Sequence, residues 1–152
     1  MTLNITGILD EVVSHAMASG HFEQVNGHES ANAPSHGLTA AVWTDSLQAL
    51  GRVSGLASTA VLLVFNVRVY TSIQSEPADA IDPNAIAAVD DLCAAYIGDF
   101  TLGGLVKQVD VLGAHGQPLL VRAGYIQQSG AVFRVMTITL PVIVNDLWEQ
   151  VA

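Results

Sequence analysis

The sequence predicts an α+β domain, a mostly antiparallel β-sheet with two amphipathic helices packed on it, from three observations. Residues 60–72 (AVLLVFNVRVYTS) open with an unbroken apolar run and then alternate strictly, with Phe65, Val67 and Val69 on one side and Asn66, Arg68 and Tyr70 on the other. Such a strand begins buried on both faces and emerges toward solvent or a partner. Residues 132–144 (VFRVMTITLPVIV) are built the same way, and two helical patterns are separated by strands that hairpins join.

In chain order, residues 3–18 place Ile5, Ile8, Leu9, Val12, Val13, Ala16 and Met17 on one side at helical spacing, with Asp10, Glu11 and Ser14 opposite. Thr2 or Asn4 can cap the start, and Ser19-Gly20 suits the end. Residues 21–29 (HFEQVNGHE) read as a short strand closing in Asn26-Gly27, a hairpin dipeptide that the loop composition of residues 28–37 contradicts. Residues 38–50 read as a strand with Val42 and Trp43 on opposite faces, although Ala and Leu also permit a helical tail.

After a turn at 51–58 and the central strand, Asp82 as N-cap and Pro83 at the first helical position predict a second helix. Its apolar face is Ile86, Val89, Leu92, Cys93, Tyr96 and Ile97, and it ends near Gly98-Asp99. Gly103-Gly104 opens a strand over 105–113, and residues 113–118 turn into a strand over 119–128. A two-residue turn at Ser129-Gly130 then fixes a register that sets Tyr125 opposite Arg134, Ala123 opposite Met136, Val121 opposite Ile138 and Leu119 opposite Leu140 as the core face. The second face pairs Ile126 with Phe133, Gly124 with Val135 and Arg122 with Thr137, a mixed surface suited to a neighbour.

At 152 residues the chain is most simply one domain, 1–152. Only 12% of it is charged, against about 25% in an ordinary soluble domain, so part of the exterior is expected to be interface in an oligomer. The formal charge of −9 and the lack of a basic run argue against a phosphate-gripping surface. A lone Cys93 excludes an internal disulfide, and neither a signal peptide nor a run near ~20 apolar residues is present, so no membrane partner is expected.

Five histidines, three of them (His21, His28, His36) around one loop, raise a metal site, but no HExxH or paired CxxC accompanies them. Solvated loop histidines are the simpler reading. Asp90 and Asp91 read as a solvated helix face, Cys93 as a buried inert thiol, and Gly103-Gly104 as a turn. No GxSxG elbow orders the Ser, His and acid residues. The expectation is a non-enzyme with no catalytic, cofactor-binding or metal residue.

Five stretches, FEQVNGHE (22–29), GLTAAVW (37–43), VFNVRVY (64–70), EPADAIDP (76–83) and FRVMTITLPVIVND (133–146), together resemble the tail terminator proteins of long-tailed (siphovirus) actinobacterial phages. The likeness spans most of residues 22–146 and rests on sequence words rather than catalytic motifs. It implies a ring, typically a hexamer, at the head-proximal end of the tail tube. Such a ring stops tube growth and docks the tail to the head-completion proteins, in the virion after assembly in the host cytoplasm. The implied partners are further copies of the chain, the major tail tube protein and the neck connector proteins, with genomic DNA passing through the channel without specific binding.

Candidate interface residues are Asn26, Gly27, His28, Glu29, Pro34 and His36 in the polar loop, Arg122, Phe133 and Val135 on the mixed face, His115 in the 113–118 turn, and Trp148. The loops 26–37 and 112–118 are expected to touch adjoining rings. Within the same class another head-to-tail connector or a tail tube protein remains an alternative. From different classes, a small cytoplasmic enzyme using loop histidines and a monomeric binding module remain open.

Overall fold

The computed structural model of the chain describes residues 2–29, 37–50, 58–74 and 77–149. Helix α1 (Ile5–Ala18) starts where Asn4 Oδ1 accepts the Gly7 N–H at 3.1 Å, and it ends at Ser19, just before Gly20 at φ 77°. Strand β1 (Gln24–Asn26) pairs in parallel with β2 (Thr39–Leu50), so Asn26-Gly27 does not make a hairpin. β2 is extended throughout, with no helical tail. The expected turn at 51–58 lies outside the described residues except for Ser58, which opens the next strand.

Strand β3 (Ser58–Ser72) is the centre, antiparallel to β2 on one side and to β6 (Ala131–Glu149) on the other. β4 (Gln108–Val109) and β5 (Leu120–Gln128) both pair with the far side of β6, giving a six-stranded sheet with one parallel pair. The β5–β6 hairpin has the predicted register, Tyr125 opposite Arg134 and Val121 opposite Ile138. Ser129 at φ 50° and Gly130 at φ 79° give the left-handed two-residue turn that matches strand twist.

Three expectations are corrected. Helix α2 (Ile81–Gly98) begins before Asp82, because a 3-10 turn over Ala78–Ala80 runs straight into it. Asp82 therefore lies in the first turn and no side chain caps the helix. Its buried face is Ala85, Ala88, Val89, Leu92 and Tyr96, whereas Ile86 and Ile97 are exposed. Two alanines on the sheet side let the helix approach closely, which turns the isoleucines outward. The strand expected over 105–113 shrinks to β4, because Leu102, Gly103 and Gly104 all hold positive φ and keep the chain in turns until Lys107.

Both helices cover one face of the sheet. There Ile8, Val12 and Ala16 of α1 and Val89, Leu92 and Tyr96 of α2 pack on Val61, Leu63, Phe65, Val67 and Val69 of β3 and on Met136, Ile138 and Leu140 of β6. Each fully buried aliphatic or Phe side chain there stabilises by about 1.5–3 kcal/mol, so this layer is the main core. The Tyr96 hydroxyl, inside it, donates to the Val12 carbonyl at 3.1 Å and ties the helices together.

Candidate interaction surface

The face of the sheet away from the helices is closed by side chains of the sheet itself. Ala41, Tyr70, Phe133 and Val135 form one buried cluster with Trp43 and Ile126 against it, and Leu50, Leu62, Val64 and Ile143 form another. Between them, on β3, stand Asn66 and Arg68, half-buried. Arg68 Nε donates to Thr137 Oγ1 at 3.0 Å, and its guanidinium carbon lies 5.0 Å from the Trp43 ring centre and 5.9 Å from that of Tyr70. The aliphatic stem covers apolar surface while the planar head stacks on the aromatic rings.

This corrects the expectation for Phe133 and Val135, which are 4% and 5% exposed. They already pack with Tyr70 and Ala41 and offer a neighbour little surface. Arg122 on β5 is exposed, as is Trp148 near the end of β6. On the helix side of the hairpin, Tyr125 is 66% exposed rather than core, and the Arg134 guanidinium sits 4.6 Å above its ring, as expected of the pair. Arg134 also reaches the Asp82 carboxylate, Nε to Oδ1, at 3.0 Å. The acid read as a helix cap thus fastens the hairpin to α2.

In the polar loop, Gly27, His28 and Glu29 are exposed and Asn26 is half-buried at the end of β1. Pro34 and His36 lie outside the described residues. His115 belongs to a loop that the sequence undervalued. Asp110, 3% exposed, accepts N–H groups from Ala114 and His115 on its two carboxylate oxygens, each at 3.0 Å. The Leu119 N–H closes the loop onto the Val111 carbonyl at 3.0 Å. A Cβ on Gly113 would come 2.7 Å from the Pro118 nitrogen, so this closure requires glycine. The loop is therefore preorganised, and Leu112, next to the closing Val111–Leu119 bond, is 90% exposed. An acid placed ahead of a Gly-rich turn was the available signal.

The histidines divide differently from the expectation. His21 pairs with Asp91, and the His28 ring contacts its neighbour's carbonyl. His15 on α1, not a loop residue, joins Glu11 and Asp99 with ligating atoms all within 4.8 Å of one another. The Gly103 N–H first and His15 second hold the Asp99 carboxyl below its usual range. Cys93 is half-buried rather than buried, and burial first, then the Asp90 carboxylate, pushes its thiol up.

No protein-family model matches this chain, and a search of curated proteins finds no match. Among the described residues no helix is long and apolar enough to cross a membrane.

Proposed function

We propose that the chain is a ring-forming structural subunit of a phage tail, a tail terminator that ends tube growth and docks the tail to the head. The observation that carries the ring is the pair of sheet edges. Residues 42–49 of β2 lie beyond the reach of β1, and the outer side of residues 120–127 of β5 meets no strand among those described. β2 and β5 run in opposite directions, because the antiparallel pairings β2–β3, β3–β6 and β6–β5 separate them. A copy rotated about an axis can therefore set its β2 against the β5 of its neighbour and continue the antiparallel alternation without a break.

Long unpaired edges are a liability in a monomer, and β5 carries a single charge, Arg122, to discourage pairing. On β2 the ladder with β3 is irregular between Thr44 and Ser46, which leaves Asp45 as a bulge that can set the register of an incoming strand. Asp45 and Arg122 are exposed charges of opposite sign on the two edges. The preorganised loop with Leu112 and the exposed Trp148 supply contacts for the adjoining tube and neck proteins. Among the described residues, Arg68 and Arg134 are engaged within the chain and are not free to grip DNA.

Native mass spectrometry and negative-stain imaging of the full chain should give closed rings. Ala123→Lys, which puts a lysine on the β5 edge, should leave the circular dichroism unchanged and yield monomers. Wild-type protein that stays monomeric at high concentration, alone and with polymerised tail tube, overturns the reading.

A further inference from the structure

We propose that Glu11, His15 and Asp99 form a binding site for one divalent first-row transition cation, with zinc the best fitted. The site is independent of the ring. Glu11 and His15 are four apart on α1 and so share one helix face, and Asp99 follows the last turn of α2, where the helices meet.

The three groups are individually aimed. His15 Nε2 is 2.8 Å from Asp99 Oδ2, while the other Asp99 oxygen, Oδ1, accepts the Gly103 N–H at 3.1 Å, which fixes the carboxylate plane. The His15 ring is held edge-on to Tyr96, with centres 5.6 Å apart and planes at 88°. The Glu11 carboxyl lies against Gly103, where an added Cβ would come within 3.3 Å of it, and it makes no hydrogen bond or ion pair among the described residues. Two carboxylates thus converge on one imidazole, and no Lys or Arg among the described residues pairs with either.

One imidazole and two carboxylates form a donor set that zinc accepts, with bonds of about 2.0–2.2 Å and the donors roughly 3.3 Å apart around a tetrahedron. His15 and Asp99 are already closer than that and need only part slightly, while Glu11, half-buried at the rim, must swing in. Neutral His15 would carry its proton on Nδ1 and present Nε2 to the ion. The half-exposed position leaves the fourth coordination site to water. The bound ion would pin the last turns of α1 to the end of α2 and raise the melting temperature.

The test is isothermal titration of zinc chloride into the chelator-stripped full chain, with the His15 ring nitrogens followed by 15N NMR. One zinc per chain at micromolar affinity is expected, with a His15 Nε2 shift and a raised melting temperature. Binding should fall at least tenfold in Glu11→Gln and in His15→Asn and be unchanged in His21→Asn. Glu11→Gln keeps the side chain's shape and removes no hydrogen bond or ion pair among the described residues, so its loss of zinc would not reflect misfolding. Zinc binding that is absent, equal in Glu11→Gln, or lost in His21→Asn instead would overturn the site. So would His15 ring nitrogen shifts that do not change in saturating zinc.

Discussion

The two faces of the sheet are closed by different means, although one strand, β3, supplies the middle of both. Toward the helices, Val61, Leu63, Phe65, Val67 and Val69 are all buried under α1 and α2. On the other side Leu62, Val64 and Tyr70 are buried, but Asn66 and Arg68 interrupt them, and a stacked guanidinium does the covering. The helical face gains stability from dry apolar contact, which a single chain can complete by itself. The open face ends in amphipathic side chains and long unpaired edges, which suits a surface that meets other copies. Dry apolar packing therefore lies on one side of this strand, and amphipathic covering by the sheet's own side chains on the other.

The sharpest way to break this contrast is to hollow out the helical face. Phe65→Ala should cost about 3–5 kcal/mol in denaturant unfolding at fixed protein concentration, since a fully buried ring leaves a cavity. A loss near 1 kcal/mol would mean that this face is not the core. A smaller effect is expected from Tyr96→Phe, which removes the hydroxyl bond to Val12 and should cost about 1–1.5 kcal/mol. Burial pushes the Tyr96 phenol up, so ultraviolet titration compared between the wild type and Tyr96→Phe should show that Tyr96 resists ionisation in the folded protein and becomes normal on unfolding.

The smallest effect belongs to the open face. Arg68→Met keeps the aliphatic stem but loses the Thr137 bond and the stacking on Trp43, for about 0.5–1 kcal/mol. Trp43 emission, read in a Trp148→Phe background, should shift with it. If Arg68→Met destabilised the protein as much as Phe65→Ala, the two faces would be equivalent and the contrast would fail.

Local chemistry was legible wherever it determined local geometry. The β5–β6 register could be read from the sequence because a two-residue turn with positive φ at both positions leaves one alignment. Helix α1 was readable from Asn4, the spacing of Ile8, Val12 and Ala16, and Gly20. The Arg134–Tyr125 contact followed from register alone. Apolar alternation in β3 likewise announced two faces of different character.

Tertiary structure decided what depends on residues distant in sequence. Hydropathy favoured Ile86 and Ile97 as the inner face of α2, but the sheet selects the face with Ala85 and Ala88, because interaxial distance rather than side-chain size sets the fit. Phe133 and Val135 looked available to a neighbour until Tyr70 and Ala41, brought alongside by strands β3 and β2, covered them. His15 and Asp99 are 84 residues apart, so no spacing rule could join them. Only the i, i+4 pair of Glu11 and His15 was visible in the sequence. Periodicity and turn chemistry act within a few residues, whereas the choice among apolar faces and the convergence of charged groups depend on which segments the packed sheet brings together.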